Sequence, residues 1–285
     1  MLRKTQARNR LGGLPPQLFF LVSAVFHYLG PSLAVLLFAR VDVLGVAWLR
    51  IASAAAVFAV WRRPWRLNRG GLILLICLGT VLASMNTVFY LAVDRLPLST
   101  VGAIEFLGTM IVAAIGTRTR RNVAALLLTA AGVAAISTIR LAGHPLGFAF
   151  AFVNCLLFML YVLIGHRIAN DLNGIAGIDL LAAAMMIAAA VVTPVGLGSA
   201  LPAFTHPVLL LAGVAVGVCS SVIPYVTDQL AMARLPRATF ALMLALAPVF
   251  ATIIGAIVLR QVPTIRDITG IALVTAGVAI HTQGK

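Results

Sequence analysis

The chain has 285 residues, 62% of them hydrophobic and 10% charged, with a formal net charge of +14 and a mean hydropathy of +1.08. A soluble domain carries about 25% charged residues, so one globular core of this size cannot hide the apolar excess, and lipid must be the solvent for most of the surface. Nucleic acid is excluded as a partner, because the basic residues lie between apolar runs and not on the face of a soluble domain.

A helix needs about 20 apolar residues to cross the hydrocarbon core. Ten segments are expected to do so: residues 17–38, 43–61, 71–91, 98–117, 122–140, 145–166, 176–197, 207–230, 238–259 and 267–282. The fold class expected is an all-α integral membrane bundle. A basic segment, residues 1–16, precedes the bundle, and a short tail, 283–285, follows it. The first apolar run lacks a small-residue cleavage site and reads as a retained helix. The basic residues then set the orientation. With both termini cytoplasmic, fifteen of them face inward, among them Arg62, Arg63, Arg66 and Arg69 of WRRPWRLNRG and Arg118, Arg120 and Arg121. Five face outward: Arg40, Arg95, Arg140, Arg260 and Arg266. This is the positive-inside bias. Arg50 is left over, inside the second helix. Cys77, Cys155 and Cys219 lie in apolar runs without metal-ligand spacing and read as packing residues.

The chain also repeats itself. Residues 95–116, RLPLSTVGAIEFLGTMIVAAIG, are echoed by 234–255, RLPRATFALMLALAPVFATIIG, and TAAGVA at 129–134 by TAGVA at 275–279. Each half, 17–140 and 145–282, thus holds five helices. Five is odd, so the halves run oppositely through the membrane, giving two inverted five-helix repeats. The loop after helix two carries four arginines, while its counterpart, GSALPAFTH at 198–206, carries none. Inverted repeats are the architecture of many secondary transporters, with the substrate at the midplane between the halves.

Glu105 lies deep in the fourth helix. A charge there costs roughly 2.5–3.5 kcal/mol on insertion scales, and its repeat counterpart is Leu244, so the fold does not require an acid. It reads as a cavity carboxylate for a substrate ammonium, a proton, or both in exchange. Arg50 is its expected partner and a candidate clamp for a substrate carboxylate; together they suit a zwitterion such as an amino acid. Asn86 and Tyr90 are four apart on the third helix and share a face, with interhelical hydrogen bonding as the other reading of Asn86. In SSVIPYVTDQ of the eighth helix, Tyr225 takes the repeat position of Asn86. Pro224 frees a carbonyl, and Asp228 reads equally as an interfacial acid or a gate residue. His27 on the first helix is a proton relay or a packed histidine; Tyr28, Pro31 and Ser32 are placed near it. Asn154 and Tyr161 on the sixth are about two turns apart and could share the cavity face. No nucleotide loop, HExxH, DxxxD pair or nucleophile elbow is present, so the chain is not read as an enzyme and no cofactor is expected.

The chain resembles the EamA-type branch of the drug/metabolite transporter superfamily, and within it the threonine and homoserine exporters. The residues that carry this are SLA at 32–34, LR at 49–50, PWRL at 64–67, MN at 85–86, FYL at 89–91, the EF of AIEFLG, GHR at 165–167, PY at 224–225 and RLP-x-x-TF at 234–240. The resemblance implies a bacterial inner-membrane exporter of small metabolites, with amino acids such as threonine or homoserine as substrate and the proton as coupling ion. It also implies a monomer or homodimer in the lipid bilayer. The same fold would serve another solute, such as a drug or nucleoside, and a non-transporting scaffold is the remaining alternative. The family often carries Glu before the proline of the ninth helix and again in the loop after it. Here those positions are Ala247 and Gln261, which leaves Glu105 as the main membrane acid.

Overall fold

No water is available to a peptide group in hydrocarbon, so a chain of this composition must satisfy its backbone within helices. The computed structural model describes residues 15–62, 72–115, 119–137, 144–171, 175–236, 240 and 243–280, and no strand occurs among them. The elements are α1 (Pro16–Leu37), α2 (Val43–Arg62), α3 (Leu72–Val93), α4 (Leu98–Ile115), α5 (Arg120–Ser137), α6 (Pro145–Asp171) and α7 (Ile175–Phe204). The run α8 (Pro207–Met232) follows, then α9 (Ala247–Leu259), entered through a 3-10 turn at Leu244–Leu246, and α10 (Ile265–Ile280). Six of them, α1, α2, α3, α6, α7 and α8, are long and apolar enough to cross a membrane.

Local chemistry sets the ends. Pro16 and Pro207 open α1 and α8 at positions where a missing N–H costs nothing. Asp42 accepts from Leu44 N at 2.9 Å ahead of α2. Thr264 and Asp267 hold each other's backbone N–H in a reciprocal box at the start of α10. Arg260, at φ 54°, stops α9 in the left-handed conformation. α7 corrects an expectation: GSALPAF is not a loop, because the helix runs through Pro194 and Pro202 to Phe204. Prolines are tolerated in membrane helices whose neighbours cover the freed carbonyls.

Leu, Ile and Val side chains such as Val60, Ile73, Leu156 and Ile257 point outward, while Arg50, Asn86, Glu105, Asn154 and Asp228 are buried. Helices far apart in the chain interlock. α2 packs on α7 and α5 on α10; α3 lies against α6 and α7, as α8 lies against α1 and α2. Glycines mark the closest crossings. A Cβ on Gly132 of α5 would stand 2.6 Å from the Gly270 carbonyl and 2.9 Å from Val274. A Cβ on Gly277 of α10 would meet Thr129 and, at 2.7 Å, the Ala125 carbonyl. The two contacts are mirror images in register. Gly79 of α3 likewise abuts Ala184 and Ile187 of α7, as Gly217 of α8 abuts Arg50 and Ser53 of α2.

At the ends of the bundle, Arg62 of α2 pairs with Asp179 of α7, and Arg121 of α5 donates to the Ile280 carbonyl of α10 at 2.8 Å. The segments 1–14 and 281–285, the arginines at 63, 66 and 69, and Arg118, Arg140 and Arg237 lie outside the described residues, so most of the charge bias does too.

Candidate functional site

The residues singled out in the sequence converge. A narrow cavity is lined by His27 and Pro31 of α1, Arg50 of α2, Met85, Asn86 and Phe89 of α3, Glu105 of α4, Asn154 of α6 and Tyr225 of α8. Its atom-free space is about 210 Å³, yet it leaves room for about one water molecule at its widest.

Glu105 is 3% exposed. Its Oε1 accepts from Asn154 Nδ2 at 3.1 Å, and its Oε2 is 3.9 Å from His27 Nε2. Oε2 has no hydrogen-bond partner, and neither does Asn154 Oδ1. Two buried acceptors are therefore unserved in one cavity, an unusual state for protein polar atoms. The Tyr28 hydroxyl, which also makes no hydrogen bond in this geometry, faces the Glu105 carboxylate and packs against Gly102 one turn before it, 3.1 Å from where a Cβ would be. The His27 ring sits edge-on to Phe158 of α6, 5.6 Å between centroids.

Arg50 does not pair with Glu105, contrary to expectation. Its Nε donates to Ser221 Oγ at 2.9 Å and its Nη2 to the Ser220 carbonyl at 2.8 Å, with a longer 3.5 Å contact to the Tyr225 hydroxyl. The guanidinium lies over the Tyr90 ring, 5.1 Å from its centroid, which places Tyr90 beneath Arg50 and outside the cavity lining. The cause is Pro224. A proline lacks the N–H that would bond the carbonyl four residues back, and that carbonyl is Ser220's. The freed oxygen takes the arginine instead. Around it α8 loosens into a π-turn at Val218–Val222, where Ile223 N donates to Val218 O. π-turns inside helices are frequent at functional sites.

The Tyr225 hydroxyl donates to Asn86 Oδ1 at 3.0 Å, while Asn86 Nδ2 donates to the Leu82 carbonyl of its own helix at 2.6 Å. Asn86 thus lines the cavity and bonds across helices. Behind Tyr225, whose ring lies 5.3 Å from that of Tyr161, sits Asp228, 1% exposed. It accepts from Tyr161 at 3.0 Å and from Ser23 of α1. Glu105 is therefore one of two buried acids here. Ser23 was not anticipated, although its i, i+4 spacing to His27 is a usable signal; Ser220 follows from Pro224 by counting back four. Gln261 borders a separate recess with Ser99, Thr252 and Asp267, away from this cluster.

The close approach of α1 to the π-turn sets the geometry of the Arg50 bonds. A Cβ on Gly30 would meet Ser220 at 2.6 Å from its N and 2.7 Å from its Cα. Gly30→Ala is expected to destabilise the protein by about 2 kcal/mol, since overpacking against backbone cannot relax by side-chain rotation. Gly198→Ala, with nothing within 4 Å, serves as the neutral comparison. Thermal unfolding in detergent reads both; equal midpoints would refute the close approach.

Comparison with known proteins fits this arrangement. The EamA-like transporter family model matches residues 145–283. The threonine/homoserine exporter RhtA of Salmonella typhimurium (strain SL1344) is 31% identical over 258 residues, 87% of this chain and 85% of that one. The RhtA of Escherichia coli (strain K12) is 30% identical over the same shares. The chain belongs to the EamA-like transporter family. Its members are transporters and not enzymes, and the membership makes this chain a transmembrane transporter of small molecules. A solved crystal structure at 19% identity superposes with a TM-score of 0.63, covering 93% of this chain and 96% of that one, and shares the fold.

Proposed function

We propose that the protein is a secondary exporter of small amino acids such as threonine or homoserine, working by alternating access in the bacterial inner membrane in exchange for protons. The observation that carries this reading is the pair of unserved acceptors, Glu105 Oε2 and Asn154 Oδ1, in a cavity that also holds Arg50. An amino acid brings the missing donors in its ammonium and a carboxylate for the guanidinium. Arg50 has five donors; the bonds to Ser221, Ser220 and Tyr225 occupy three, and the two on Nη1 are those a substrate carboxylate would take. Asn86 and Tyr225 bridge the two ends of the site. The exporter names of the relatives agree with this chemistry.

Residues 17–140 and 145–282 form two inverted five-helix repeats in this reading, ten spans in all, with both termini cytoplasmic. The mirrored glycine contacts support it, as does the bond between Asn86 and Tyr225, which are repeat equivalents. Equivalent residues meet only near a two-fold axis, which supports a site on the axis between the halves. The cavity is too tight for an amino acid in this conformation, and rocking of one half against the other widens it toward either side. The site is complete within one chain, so a monomer or a homodimer serves.

Proteoliposomes containing the full chain are expected to show saturable threonine or homoserine flux, accelerated by a pH gradient. Absence of saturable flux for both amino acids would sink this reading.

A further inference from the structure

Asp228 does not line the cavity, and the substrate contacts above give it no task. Its neighbours define a second site. Oδ1 accepts from Ser23 of α1 and Oδ2 from Tyr161 of α6, both neutral hydroxyls. The groups able to carry charge that face it are His27 of α1, Tyr161 of α6, Tyr225 of its own helix and, beyond His27, Glu105 of α4. Arg50 of α2 is engaged with Ser220, Ser221 and Tyr225; on α7, Asp179 pairs with Arg62; His166 of α6 lies against the Leu235 carbonyl.

Ser23 has a second acceptor: its Oγ is also 3.3 Å from the Pro224 carbonyl. When Asp228 is ionised, the Ser23 and Tyr161 protons both point at it. When Asp228 takes a proton, its own O–H needs an acceptor, and the Ser23 hydroxyl can turn to Pro224 and present its oxygen. Every polar atom keeps a partner in both states, so a change of protonation here orphans nothing. Glu105, with an unserved oxygen and an amide neighbour, is built differently.

We propose that Asp228 is the acid that carries the coupling proton, with Ser23 as its hydroxyl switch. This rests on the transport reading above. One proton from the outer side adds to the Asp228 carboxylate and leaves to the cytoplasm as one solute is exported. Ser23 ties α1 to α8, so the protonation state also alters which atom of α8 holds α1.

Two measurements on the reconstituted full chain test this. Infrared difference spectra between high and low pH, with no amino acid present, are expected to show a protonated carboxyl band. The band disappears in Asp228→Asn, persists in Glu105→Gln and moves in frequency in Ser23→Ala. In proteoliposomes, Asp228→Asn keeps threonine counterflow and loses threonine accumulation driven by a pH gradient. The proposal is overturned if the band survives in Asp228→Asn, stays unmoved in Ser23→Ala, or if Asp228→Asn accumulates threonine as the wild type does. A wild type that shows the Asp228 band but moves no amino acid leaves the proton site standing and defeats the transport reading instead.

Discussion

Glu105→Gln is expected to raise the KM for the transported amino acid roughly thirtyfold and leave thermal stability nearly unchanged. Gln has the shape of Glu and keeps an acceptor for Asn154 Nδ2, so the packing between α4 and α6 survives. What it removes is the negative charge on the unserved Oε2, which the substrate ammonium would neutralise. A hydrogen bond to a charged group contributes about 2 kcal/mol, and each 1.4 kcal/mol is tenfold in affinity. Glu105→Ala is expected to be worse on both counts, because it opens a hole beside His27 and leaves Asn154 without its acceptor. The check is the concentration dependence of flux in proteoliposomes at several pH values, beside an unfolding curve. A Gln variant that matches the wild type in KM at every pH removes the carboxylate from substrate binding.

Much of this site was legible because membrane burial makes polar residues expensive. In a chain where charged residues are 10% of the total, the few polar groups inside apolar runs almost nominate themselves. His27, Arg50, Asn86, Glu105, Asn154 and Tyr225 line one cavity, with Tyr90, Tyr161 and Asp228 bonded or stacked to its edge. What could not be read was who bonds whom. Arg50 and Glu105 look like a pair because they are opposite charges at similar depth, yet a proline-freed carbonyl outcompetes the carboxylate for the guanidinium. That outcome depends on how closely α1, α2 and α8 approach, which is set by Gly30 and Gly217 and has no local signature. The burial of Asp228 was hidden for a related reason: it lies in the last turn of α8, and only the packing of Ser23 of α1 and Tyr161 of α6 around it encloses it. The continuation of α7 through GSALPAF was masked by two prolines and two glycines that, in water, would end a helix.

Arg50→Ala and Arg50→Lys separate the two tasks of that arginine. In Arg50→Ala, the Ser220 carbonyl loses the donor that Pro224 denies it, Ser221 loses its partner, and the Tyr90 face loses its cation. An orphaned buried acceptor costs about 1–3 kcal/mol and a desolvated cation–π contact about 2. The expected destabilisation is about 3 kcal/mol, read as a clearly lowered unfolding midpoint, with transport abolished. Arg50→Lys keeps a charge over Tyr90 and can serve the Ser220 carbonyl, so most of the stability is expected to return. Transport is not: an ammonium has no planar fork with which to hold Ser220 and Ser221 on one side while offering the Nη1 N–H groups to a carboxylate on the other. The measurements are an unfolding curve and threonine flux for each variant, with an amino alcohol as competitor. A solute without a carboxylate should compete equally in wild type and Arg50→Lys, whereas threonine should compete far less well in the variant. If Lys restores threonine KM together with stability, Arg50 is a structural tie between α2 and the break in α8, and the substrate carboxylate is held elsewhere.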